Sequence, residues 1–146
     1  MEMTPLQTAL TYYKVKEHPD LNISHPALAE MIQWMMGKDY DDSKIAWCSI
    51  FMNWVCHLSG YERSGKATAR SWMKVGIEVK LEDAIPGDVV IFWRGSPNDW
   101  RGHVGIFIND TNGQIQTLGG NQENSVVILG YSKKRLLKIV RLKSRL

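Results

Sequence analysis

The chain has 146 residues, 18 Lys or Arg against 15 Asp or Glu for a formal net charge of +3, and 44% hydrophobic residues. That length suits one domain over residues 1–146, with a core of its own and no room for a second. The composition is ordinary for a globular protein, and no apolar run is long enough for a transmembrane helix, which excludes stable membrane insertion.

The opening stretch "MEMTPLQTALTYYK" lacks a basic start followed by an apolar run. A chain made in the cytoplasm without a signal peptide is therefore expected, and if it works outside, another agent must carry it there. Thr4 followed by Pro5 reads as a helix start, with Leu6, Ala9, Leu10 and Tyr13 as the apolar face. The turn-rich "HPDLNISHP" comes next, and Pro26 opens a second helix that runs through Met36 and is closed by Gly37. "KDYDDS" leads into a third helix, capped by Asp42 or Ser43 and starting near Ile45, and "TARSWMKVG" reads as a short fourth.

Beyond Gly76 the pattern changes. "PGDVVIFW", "HVGIFI", "QIQTLG", "SVVILGY" and "RLLKIVRL" are short β runs, and Asn112-Gly113 between the second and third is a hairpin signal. Helices followed by strands with tight connections predict an α+β fold, N-terminal helices on an antiparallel sheet of five to six strands. From Ser132 to Leu146 the chain carries seven Lys or Arg and no acid, leaving 11 basic against 15 acidic residues elsewhere. Such a strip favours anionic surfaces such as nucleic acid, phospholipid or an acidic cell-wall polymer, unless Lys138, Arg141 and Lys143 are simply the solvated positions of a terminal strand.

The segment "KIAWCSIFMNWVCHLSG", Lys44 to Gly60, holds both cysteines of the chain. Cys48, Phe51, Met52, Val55, Cys56 and Ser59 fall on one helical stripe, with Gly60 at the C-terminal cap. Eight helical residues separate the two sulfurs by about 12 Å of rise, whereas bridged cysteines need Cα atoms within about 7 Å. A shared zinc ion is excluded by the same spacing and by the lack of a second cysteine pair or HExxH. Each cysteine is then either a small buried hydrophobe or a nucleophile. Cys48, in the first turn, feels the positive end of the helix and its free N–H groups, which favour thiolate; Cys56 lies mid-helix and gains none of this.

Of the four histidines, His18 and His25 each precede a proline, and His57 follows Cys56 near a helix end. His103 begins the strand "HVGIFI" after a polar loop, where its ring can meet the amino end of a packed helix. A neutral imidazole beside such a cysteine is the minimum for nucleophilic acyl chemistry, and a third polar group normally orients the ring. Asn121 or Gln122, in "TLGGNQENS" at the end of the next strand, can supply that bond.

"DDSKIAWCSIFMNWV", "ARSWMKVG", "PGDVVIFWRG", "GHVGIFI" and "LGGNQENSVVI", in this order, resemble the CHAP (cysteine, histidine-dependent amidohydrolase/peptidase) branch of the NlpC-type, papain-like cell-wall hydrolases, in the compact form found in phage lysis genes and prophages. The likeness runs from Trp34 onward. It implies a papain-like α+β fold, hydrolysis of amide bonds in peptidoglycan, Cys48 as nucleophile, His103 as base and Asn121 as third member; no cofactor is expected. The acidic residue often found two positions before that asparagine is replaced by Gly119.

Some CHAP enzymes bind calcium before the cysteine, and Asp39, Asp41 and Asp42 invite comparison. Calcium takes six to eight oxygen ligands, and Ile50 stands where a further carboxylate would follow the cysteine, so no metal is expected. Of six tryptophans, Trp34, Trp54 and Trp72 are assigned to the core, while Trp47, Trp93 and Trp100 are candidates for the walls of a substrate groove.

The expected function is thus cleavage of the peptide part of peptidoglycan through a thioester. Peptidoglycan, not nucleic acid, is the expected partner. The expected setting is a phage endolysin released through a holin-type lesion, or an injected antibacterial effector, which would add an immunity protein as partner. A non-catalytic cell-wall-binding module and an acyltransferase using the same dyad are the alternatives.

Overall fold

The computed structural model describes residues 2–17, 25–37 and 46–146. Among the described residues three α-helices, α1 (Pro5–Leu10), α2 (Pro26–Met36) and α3 (Cys48–Ser59), precede six strands: β1 (Ile77–Glu78), β2 (Val89–Trp93), β3 (Gly102–Thr111), β4 (Gln114–Gln122), β5 (Ser125–Ser132) and β6 (Leu136–Arg141). The fold class is α+β, as the sequence indicates.

Local chemistry explains the helix ends. Thr4 and Gln7 form a reciprocal capping box around α1, with Pro5 at its first position. His25 caps α2 by accepting from the Ala27 N–H through Nδ1 at 3.1 Å, and Gly37 ends the helix at φ 74°. Two details differ from the sequence expectation. Helix α1 stops at Leu10, so Leu10 and Tyr13 are exposed and Ala9 is its buried contact. The "TARSWMKVG" segment is a 3-10 helix, Ala69–Lys74, which presses Ala69 and Trp72 inward.

Helix α3 is the axis of the core. Every residue from Cys48 to Cys56 is buried, because the sheet covers one side and the other helices cover the rest. The apolar stripe read from the sequence therefore marks only part of its buried surface. Val89, Ile91, Val104, Ile106, Leu118, Val126 and Val140 face this cluster. Pleating sends the alternate residues Val90, Phe92, Phe107, Ile115 and Ile139 to a second, smaller cluster on the far face.

The sheet is antiparallel in the order β1-β6-β2-β3-β4-β5. Asn112 (φ 53°) and Gly113 (φ 79°) make the turn between β3 and β4, as their side chains permit. Strand β6 runs inside the sheet, between β1 and β2, so its cations are not merely solvated. Arg141 grips the buried Asp88 with two hydrogen bonds of 2.9 Å, and Lys138 donates to the Met73 carbonyl at 2.8 Å and lies 3.8 Å from Glu78. Lys133, in the same basic strip, pairs with Asp110 at 2.9 Å.

Candidate active site

Cys48 is the first residue of α3, with Trp47 in the N-cap position and no side-chain cap. The helix thus starts at the cysteine itself rather than near Ile45; Asp42 and Ser43 lie outside the described residues. The thiol meets the free N–H groups of a helix start and faces strand β3. The β3–β4 register begins only at Ile106–Leu118. The first residues of β3 are therefore open on that side, and the Val104 N–H is directed at the Cys48 sulfur. His103 is the residue immediately before it.

The electrostatic balance at Cys48 opposes the sequence expectation. Burial pushes the thiol up from its ordinary pKa and outweighs the lowering by the Val104 N–H, the Arg94 guanidinium and the N–H groups of Ser49 and Cys48. In the resting site Cys48 is a thiol. Cys56 is buried mid-helix and pushed up to about 12, also by burial.

His103 is buried, its ring stacked on Tyr131 with centroids 4.8 Å apart. Tyr131 also stacks on Phe92 at 5.0 Å, which fixes the phenol against the sheet. Burial is the main cause that lowers the His103 pKa from 6.5 to about 4, with the Arg94 charge adding to it and the Gln122 bond opposing it. The imidazole is therefore neutral at pH 7.

Gln122 determines the tautomer. Its Nε2 donates to the Thr117 carbonyl at 2.9 Å and to the Val127 carbonyl at 2.7 Å, which leaves Oε1 as an acceptor. The His103 Nε2–H donates to that oxygen at 2.8 Å. The lone pair then resides on Nδ1, which accepts from Arg94 Nη2 at 3.4 Å.

Of the two orienting candidates, Gln122 rather than Asn121 thus holds the ring. Asn121 takes a left-handed conformation, φ 57°, within a register break between Gly119 and Gln122. That break turns the Gln122 side chain back over Gly119, where a Cβ would lie 2.6 Å from its Oε1. The glycine that replaces the expected acid is what makes room for the glutamine.

A cavity of about 350 Å³ opens beside Cys48, walled by Ala67, Thr68 and Ala69 on one side and by Arg94, Trp100 and Arg101 on the other. The first wall is tied to α3: Ser49 Oγ donates to the Lys66 carbonyl at 2.6 Å, and the Gly65 N–H donates to Asn53 Oδ1 at 2.8 Å. Arg70 fastens the second by donating to the carbonyls of Arg101, Pro97 and Ser96 at 2.8, 2.9 and 3.2 Å. Of the three groove candidates, Trp100 is 75% exposed and lines this cavity. Trp47 is fully buried, its indole N–H donating to Glu17 at 3.1 Å. Trp93 is occupied by Arg135 over its ring at 5.2 Å and by its N–H bond to the Lys134 carbonyl.

Arg94 and Tyr131 were not singled out from the sequence. Arg94 follows the strand "VVIFW" directly, close to His103 in the hairpin, a position that could have flagged it. Tyr131 carried no such signal, since its contact with His103 depends on how β5 folds across β4. Asp39, Asp41 and Asp42 lie outside the described residues.

A search of curated proteins found no match to the chain. The CHAP domain model matches residues 39–121, a span that contains Cys48 and His103 and ends at Asn121, and the chain belongs to the CHAP domain family.

Proposed function

We propose that the chain is a cysteine amidohydrolase or peptidase that cleaves amide bonds in the peptide part of peptidoglycan, with Cys48 as nucleophile and His103 as base. Membership of the CHAP family supports the substrate class and the type of reaction. The observation that carries the residue roles is the neutral His103, held by Gln122 with its lone pair on Nδ1, one residue from the backbone N–H that meets the Cys48 thiol.

In this reading the resting pair is thiol and imidazole rather than thiolate and imidazolium. Nδ1 takes the thiol proton as sulfur attacks the amide carbon, and the N–H groups of Cys48 and Ser49 at the start of α3 stabilise the oxyanion. The imidazolium returns the proton to the leaving amine, which departs and leaves a thioester on Cys48. Water, deprotonated by His103, then cleaves the thioester and releases the acid. Gln122 is the third member of the site, in place of Asn121. Trp100 offers the exposed ring for stacking on substrate. We further propose a lytic setting, in which the protein reaches the wall through a membrane lesion or by injection.

Mass spectrometry of fragments released from purified sacculi tests the reaction. New amine and carboxyl ends in the stem peptide are expected with the wild type. Cys48→Ala and His103→Ala should release none while keeping native circular dichroism, and Cys56→Ala should remain active. Equal loss in all three would refute the assignment of Cys48.

A further inference from the structure

Arg94 stands among Cys48, His103 and Tyr131 with no part in the acyl transfer just described. Its guanidinium lines the cavity beside Cys48, donates to His103 Nδ1 at 3.4 Å and bonds the Tyr131 hydroxyl. The neighbouring Arg101 is matched by Asp99 at 2.7 Å. Among the described residues the ion pairs are Arg101–Asp99, Lys133–Asp110, Lys138–Glu78 and Arg141–Asp88, and none of them includes Arg94. A half-buried guanidinium thus faces a substrate-sized cavity, and its partners among the described residues are neutral.

We propose that Arg94 is the carboxylate-binding residue of this site, so that its acyl donors carry a free carboxylate close to the scissile amide. This rests on the reading of Cys48 as an acyl-transfer nucleophile. A planar guanidinium binds a carboxylate through two parallel hydrogen bonds, a match that neither the imidazole nor the phenol provides. Its present bond to Nδ1 adds a second consequence. That lone pair must be free to take the thiol proton, and the imidazolium that follows is disfavoured by a bare cation beside it. A substrate carboxylate draws Arg94 off Nδ1 and neutralises its charge, so the anion that fixes the substrate also frees the base. Amides without a neighbouring carboxylate leave Arg94 on the ring and are poor substrates.

Alkylation of Cys48 by iodoacetate and by iodoacetamide, which differ in a carboxylate against a neutral amide, tests this on the full chain without knowledge of the natural substrate. Rates at Cys48 are read by peptide mass spectrometry, and the iodoacetate-to-iodoacetamide ratio is compared with that of glutathione. The ratio should exceed that of glutathione by roughly tenfold to a hundredfold, the range spanned by a charge-assisted hydrogen bond. Arg94→Gln should return it to the glutathione value, Arg94→Lys should keep part of it, and Arg135→Gln, the same loss of charge elsewhere, should leave it unchanged. Because the comparison is a ratio, a change in thiolate fraction cancels. A wild-type ratio equal to that of glutathione overturns the proposal without need of any variant, and so does a preference that survives Arg94→Gln. A Cys48 inert to both reagents overturns the nucleophile assignment instead, and with it the proposal.

Discussion

Lowering the pH should destabilise this protein through His103 in particular. The ring is 1% exposed, its pKa is lowered to about 4, and a free histidine titrates near 6.5. Above pH 6.5 the ring is neutral in both folded and unfolded chains and adds no pH dependence. Between pH 6.5 and 4 the unfolded chain binds a proton that the folded chain refuses, so stability falls as pH falls. At about 1.4 kcal/mol per pH unit the loss reaches about 3 kcal/mol near pH 4, a large part of the roughly 5–15 kcal/mol typical of a domain. Urea denaturation followed by tryptophan fluorescence, at pH 7.5 and pH 4, measures it in the wild type and in His103→Gln. Carboxylates titrate in both proteins and cancel in the comparison. The wild type should lose about 3 kcal/mol more than the variant over this interval. Equal losses would refute the account of a neutral, desolvated base. The same pKa should place the acid limb of kcat/KM near pH 4 rather than 6.5, since that limb reports the base of the free enzyme.

Gln122→Ala should lower turnover by about 10²-fold or more, because it removes both the acceptor that fixes the His103 tautomer and the donors to the Thr117 and Val127 carbonyls. Asn121→Ala should change kcat several-fold at most, and the reverse order in kinetics with a small stem peptide that carries a free carboxylate would return the orienting role to Asn121. Gly120→Ala would put a Cβ 2.8 Å from Phe51 Cβ and 2.7 Å from the buried Trp47 ring. It should cost about 1–3 kcal/mol in thermal or urea unfolding and reduce activity by shifting the start of α3 from β3; a variant with normal stability and activity would show that the sheet yields at this point.

Several local features were set by nearest-neighbour chemistry, which is why they were legible in the chain. Thr4-Pro5, Pro26, Gly37 and Gly60 mark helix ends that the structure contains, because caps and left-handed turns depend on residues within a few positions. The β runs and the Asn112-Gly113 turn were equally plain, since alternation and positive φ are local properties. The family likeness rests on the spacing of short motifs, and it identified the segments that converge on one site.

The tertiary structure decided the rest. That β6 lies inside the sheet depends on long-range pairing, which gave Lys138 and Arg141, open in sequence between an anion-binding strip and a solvated strand face, the acidic partners Glu78 and Asp88. The choice of Gln122 over Asn121 depends on a register break and on the empty space above Gly119, neither of which a sequence displays. The thiol at Cys48 is the clearest case. A helix start favours thiolate through local dipoles, but desolvation depends on everything packed around the sulfur, and here it is the larger effect. The sequence determined which residues were chemically able to act, and only the tertiary structure decided their charge states, because desolvation and hydrogen-bond partners come from parts of the chain far apart in sequence.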